Sequence, residues 1–172
     1  LIPLINMKFK IDAIDISQTA INLLKKKYRK ISFKKMNMLD INTLNKKYDL
    51  VIDIFSSYSL DTSSGIKFLS KVSEILNNDG IFFSYFPSKK SDTWLKSSKK
   101  NLIVKNTLVK ISNKKLPYYG NNYPFRFHSK SEYLKLLKKH GLKIKYCESI
   151  TKTYFNEKIK TNFLVVEGQK CA

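Results

Sequence analysis

Asp15, Asp40 and His128 are the residues whose types and positions best suit chemistry. Asp15 closes the alternating stretch Lys10 to Asp15 (KIDAID), and a carboxylate at the end of a buried strand can accept both hydroxyls of a ribose. Asp40 closes Met38-Leu39-Asp40 after a second strand, where it can accept an adenine's exocyclic amine beside a backbone amide. Each has a plainer alternative. Asp15 could cap the helix that follows, and Asp40 a short turn over Ile41 to Asn45. His128, beside Arg126, is the candidate general base, because an unperturbed imidazole titrates near neutral pH. It could equally be a surface or capping residue. Tyr58, Tyr118, Tyr119, Tyr123 and Arg126 are candidates for contacts to an acceptor.

The elements that must position these groups follow from periodicity. Ser17 is a plausible N-cap for a helix over Gln18 to Arg29, with Ile21, Leu24 and Tyr28 at helical spacing. Ile31 to Met36 reads as a strand. Tyr48 to Phe55 (YDLVIDIF) is a near-continuous apolar run of the kind buried on both faces. A helix from about Gly65 to Asn77 is expected to stop at Asn78-Asp79-Gly80, the glycine taking the left-handed conformation. Ile81 to Phe86 is another buried strand. Ser88 to Tyr123 is polar and poorly periodic, with a weak strand at Leu102 to Ile111, and reads as an insertion or lid anchored by Trp94. Ser129 and Glu132 form a capping box for a helix ending at Gly141, and two strands follow at Leu142 to Cys147 and Asn162 to Glu167.

This order predicts a single α/β domain over 1–172, a doubly wound, mostly parallel sheet with helices on both faces and an antiparallel C-terminal edge strand. Ligands of such sheets sit outside the carboxyl ends of the strands, where Asp15, Asp40 and Ile54 to Tyr58 fall.

The net charge of +20 invites a nucleic-acid reading. Of 33 basic residues only Arg29 and Arg126 are arginine, however, and the lysines are spread along the chain. Bidentate phosphate and base recognition favours arginine, so a solvated lysine surface is the preferred reading over an RNA-binding face. Cys147 and Cys171 make no disulfide framework and lack metal-ligand spacing to His128 and His140, which suggests a reduced, cytoplasmic protein without a metal. No apolar run approaches the roughly 18 to 20 residues of a membrane span.

Several of these stretches together resemble class I S-adenosylmethionine-dependent methyltransferases. Ala13-Ile14-Asp15-Ile16-Ser17 is similar to the end of that family's strand two, and Met36 to Asp40 to its strand-three acidic motif. Tyr48 to Ile52 resembles its strand four, and Leu76 to Phe82 the turn into its strand five. Phe125 to Gly141, Lys143 to Glu148 and Phe163 to Glu167 are similar to its C-terminal region. The resemblance implies S-adenosylmethionine as cofactor, with Asp15 and Ile16 at the ribose. Met38 and Leu39 would flank the adenine, Asp40 and the Leu39 amide would contact it, and Ile54 would line the floor. The resemblance says nothing of the methyl acceptor; a small molecule or sugar-type compound near Tyr58, Tyr119 and Arg126 is the expectation here. The rivals are an RNA (cap or tRNA) methyltransferase and a non-catalytic accessory subunit.

The family's acidic-Gly-x-Gly-x-Gly loop is absent. The five glycines, at 65, 80, 120, 141 and 168, never form a close pair. That loop and its strand would precede the residues aligned with Leu1 to Leu4, so the resemblance implies a truncated domain without its first strand. The missing strand would lie between Lys10–Asp15 and Tyr48–Phe55, leaving two strand edges without a partner.

Overall fold

The computed structural model of the protein describes residues 2–171. They fall into two compact units, one up to Leu44 and one from Asn45 on.

In the first unit, the helical turn α1 (Ile2–Asn6) leads to strand β1 (Asp12–Asp15), helix α2 (Gln18–Lys27), strand β2 (Ser32–Lys35) and a 3-10 segment at Met38–Leu44. The expected cap is present: the Ser17 side chain accepts from the Ala20 amide. Lys25, Lys26 and Lys27 fill the last turn of α2, where cations suit the helix dipole. Ile21, Ile31 and Phe33 are buried together, with Ile11, Ala13, Leu24 and Tyr28 packed around them. That cluster turns α2 onto the parallel β1–β2 pair, whose register sets Asp15 opposite Lys35.

In the second unit, β3 (Tyr48–Ile54), α3 (Thr62–Ile75) and β4 (Leu76–Pro87) form a parallel strand–helix–strand unit. A polar segment carries the one-turn helix α4 (Asp92–Leu95) and a small antiparallel sheet of β5 (Leu102–Val104), β6 (Thr107–Leu108) and β7 (Phe125–Arg126). Helix α5 (Lys130–Lys139) then leads to the long strands β8 (Leu142–Tyr154) and β9 (Ile159–Lys170). The main sheet runs β3-β4-β9-β8. β9 is antiparallel to both neighbours, so the antiparallel C-terminal strand lies inside the sheet and β8, not β9, forms its edge.

Both longer helices reach β4 from the face bearing Phe82, Ser84 and Phe86. The Phe68 ring of α3 meets Phe82, Tyr133 of α5 stacks on Phe86, and the Tyr133 and Ser84 hydroxyls bond at 2.6 Å. Val72, Leu76, Phe82, Leu137 and Val166 are fully buried in this core.

Two expected boundaries differ for physical reasons. Helix α3 begins three residues before Gly65, because the Asp61 carboxylate caps it by accepting from the Ser64 amide. It ends at Ile75, before the Asn-Asp-Gly turn, and the left-handed residue of that turn is Asp79 (φ 61), not Gly80. Gly80 is needed for space instead, since a Cβ there would lie 2.9 Å from the Asn77 carbonyl oxygen and 3.0 Å from that of Tyr48. Asp is among the few side chains that tolerate such a turn, through its short polar group.

The segment 88–123, expected to be a polar lid, carries a core of its own. Leu108, Ile111 and Leu116 are buried with Phe125, Phe127 and Ile159, and Trp94 packs against them as anticipated. Strand β3, read as buried on both faces, leaves Ile52 40% and Ile54 57% exposed. Its one strand partner is β4, and that of β1 is β2; no described strand pairs with both. No helix among the described residues is long and apolar enough to cross a membrane.

Candidate functional site

The carboxyl end of β2 opens into a cavity of about 570 Å³, lined by Ile16, Lys34, Lys35, Met36, Asn37, Asp40 and Thr43. Its polar wall is built by the turn after β2. Asn37 Oδ1 accepts from the Leu39 amide at 2.9 Å, its carbonyl accepts from the Asp40 amide, and Thr43 Oγ1 donates to the Asp40 carbonyl. These bonds start the 3-10 segment on a short side-chain-closed turn, the usual habit of Asn. The Asp40 side chain itself stays exposed at the cavity. Ile16 and Met36 supply apolar surface beside it.

The structure therefore brings Ile16 and Asp40 together, and adds Asn37, Thr43, Lys34 and Lys35, which sequence reasoning missed. Asn37 could have been found as an Asn in the turn that follows β2, a residue type that closes turns with its side chain. Asp15 lies at the end of β1 but outside that lining, and its Oδ1 accepts from the Ser17 amide at 2.7 Å. It thus closes the turn into α2, while the cap weighed as its alternative role falls to Ser17. Met38 and Leu39 are half-buried beyond the lining, and the Leu39 amide, expected to meet a ligand, is engaged by Asn37.

The remaining candidates belong to the second unit. Ile54 is exposed at the carboxyl end of β3. Tyr58 is half-buried among aromatic rings, 4.5 Å from Phe55 and 4.4 Å from Phe125 between centroids, and Tyr119 is exposed. Burial, with Tyr123 beside it, pushes the Tyr58 phenol above its ordinary range; burial likewise lifts Tyr118 to about 12.

Arg126 and His128, expected to face a substrate, lie inside the protein at 1% and 3% exposure. Strand β7 and the bridge from Ser88 to His128 tuck this stretch against the end of β4. The His128 ring stacks on Tyr133 and lies 3.2 Å from Asn106 Nδ2 through Nδ1. Burial and then the Arg126 charge lower its pKa to about 3. The ring is neutral at physiological pH, but a group so enclosed meets no acceptor, which removes the case for it as general base.

Glu132 completes the capping box at the start of α5, accepting from the Ser129 amide and from Lys89 Nζ at 2.8 Å. Burial disfavours its charge, but the Lys89 and Ser129 bonds outweigh that and hold it at about 2. A depressed folded pKa gives stability that is present above the ordinary value and lost as pH falls through the folded one. Acid titration of Glu132→Gln against the parent by chemical denaturation should show the parent's advantage fading between pH 4.5 and about 2.

No protein-family model matches the sequence, and no curated protein does. Solved structures do. A methyltransferase of Methanosarcina mazei, described as S-adenosylmethionine-dependent, superposes with a TM-score of 0.77 over 99% of this chain and 86% of its own, at 16% identity. One from Clostridium acetobutylicum gives 0.66 over 95% and 76%, at 19% identity. The 1,6-didemethyltoxoflavin-N1-methyltransferase of Burkholderia thailandensis gives 0.69 over 99% and 65%, at 12% identity. The chain has the class I methyltransferase fold. In this methyltransferase fold the cavity after β2 lies outside the carboxyl end of a parallel strand, the usual ligand position of open α/β sheets.

Proposed function

We propose that the protein is an S-adenosylmethionine-dependent methyltransferase acting on a small-molecule or sugar-type acceptor. The cavity after β2 carries this reading, because it sets Asn37, Asp40 and Thr43, two lysines and two apolar side chains outside the carboxyl end of a strand, where open α/β sheets hold their ligands. The donor set fits that group. Asp40 would accept from the adenine amine, Asn37 would offer its amide edge, and Ile16 and Met36 would cover the faces of the ring. The bound cofactor supplies an already activated methyl group, so the protein's part is to hold donor and acceptor in line and exclude water. Acceptors named for solved structures of this fold, 1,6-didemethyltoxoflavin and magnesium protoporphyrin IX, are small molecules, which supports that acceptor class here. We assign no proton transfer to His128 and no acceptor contact to Arg126.

The methionine end of the cofactor has no glycine-rich loop among these 172 residues. Isothermal titration with S-adenosylmethionine and with adenosine tests the reading. Both should bind, because Ile16, Met36, Asn37 and Asp40 would meet their common adenosine half. Absence of any adenosine binding would remove the proposal. S-adenosylmethionine binding about tenfold or more tighter than adenosine would show a methionine subsite built by other residues.

A further inference from the structure

Arg126 is a buried guanidinium whose surroundings hold one loop. Its Nη2 donates to the Ser57 carbonyl at 3.0 Å, and its head lies over the Phe86 ring at 5.0 Å. Gly65, in the first turns of α3, makes the space: a Cβ there would fall 1.0 Å from Nη1 and 2.0 Å from Cζ. Asp53 grips the same loop from β3. It accepts from the Ser56 and Ser57 amides and from the Ser57 hydroxyl. Between these anchors Phe55 takes φ 56, a left-handed conformation that a bulky residue adopts only when its surroundings impose it. Arg126 belongs to β7, which pairs with β6, so the guanidinium ties the 102–126 segment to the loop after β3.

We propose that Arg126 is a positioning residue, seated in the notch left by Gly65, that fixes the 55–60 loop and with it Tyr58. The part that loop plays in acceptor binding rests on the methyl-transfer reading. The clasp itself does not.

Amide hydrogen exchange in Arg126→Met, Gly65→Ala and the double variant tests the clasp. Each single change should speed exchange at Ser56, Ser57 and Leu60 by about tenfold or more, while the α5 amides stay protected. Gly65→Ala should harm the parent yet be tolerated beside Arg126→Met, because the methyl then meets no guanidinium. The Tyr58 phenol, followed by carbon-13 NMR of labelled tyrosine, should titrate lower in both single variants. Unchanged exchange at the three amides, or simple additivity in the double variant, would overturn the proposal. Should Arg126→Met fail to fold, Arg126→Lys replaces it, since a lysine head is too narrow to fill the notch and should equally rescue Gly65→Ala. Failure of the cofactor titration would leave these exchange results standing, so the two readings fail separately.

Discussion

Replacing Asp53 by alanine should lower the stability of the fold by about 3–5 kcal/mol, because Asp53 serves three donors and a buried donor left without its acceptor costs about 1–3 kcal/mol. Asp53 is 3% exposed and takes three hydrogen bonds, from the Ser56 amide, the Ser57 amide and the Ser57 hydroxyl. Alanine would leave those donors without an acceptor. Asparagine should do far less harm, because it keeps an acceptor oxygen and sheds the cost of burying a charge. Burial raises the Asp53 pKa against the opposing pull of the Ser57 and Ser56 bonds and of Arg126. For a carboxyl with a raised folded pKa, the associated stability is full below the unfolded value of 3.8 and is lost as pH rises through the folded one. Urea denaturation over a pH series should therefore show the parent's advantage over Asp53→Asn shrinking as pH rises from below 3.8. An Asp53→Ala loss under about 1 kcal/mol would mean that the loop finds other acceptors.

Elements governed by local rules were legible in the sequence. The capping box at Ser129 and Glu132, the cap at Ser17 and the left-handed Gly141 closing α5 all depend on residues within a turn of one another. The parallel β3–α3–β4 unit was equally plain, because an apolar strand, an amphipathic helix and a second apolar strand leave few arrangements. Gly80 was misread because a glycine near a helix end answers to two demands, conformation and space. Only the Tyr48 carbonyl, brought close by strand pairing, and the Asn77 carbonyl, turned back on Gly80 by the local turn, show that space decides here. The order β4-β9-β8 depends on which terminal strand enters the sheet, and alternation along the chain carries no such signal.

Burial of charge was the least legible feature. A polar stretch holding Arg126 and His128 looks like a surface, and only the contacts of Arg126 with Gly65 and Phe86, with the pairing of β7 to β6, turn it inward. Asp53 lies within the apolar run of β3 and is buried there, where it organises the loop that follows. In the candidate site the sequence pointed to the turn after β2, which lines the cavity, but ranked Asp15 above Asn37. The Asp15 bond to Ser17 is a two-residue contact that any strand-to-helix turn with this pattern can make, so chemistry and turn closure were indistinguishable until the cavity was seen.

That ambiguity sets the second large effect. Asp40→Ala should weaken adenosine binding about tenfold, the low end of what a charge-assisted hydrogen bond contributes, because the carboxylate is exposed and water competes for it. Asn37→Ala should weaken binding as well, for a different reason: it removes the acceptor of the Leu39 amide, so the cavity wall itself loosens. Asp15→Asn separates the two roles of Asp15, since its amide oxygen can still accept from Ser17 while the charge is gone. If Asp15 only closes the turn, Asp15→Asn should bind adenosine as the parent does. If it also receives the ribose, binding should fall by an amount comparable to Asp40→Ala. NMR titration with adenosine, followed at the amides of Asn37, Leu39 and Asp40, measures all three variants and shows whether the ligand enters this cavity. Equal affinity in the parent and in Asp40→Ala would remove Asp40 from the site. The same shifts mapping elsewhere would remove the cavity, and with it the observation on which the methyltransferase assignment stands.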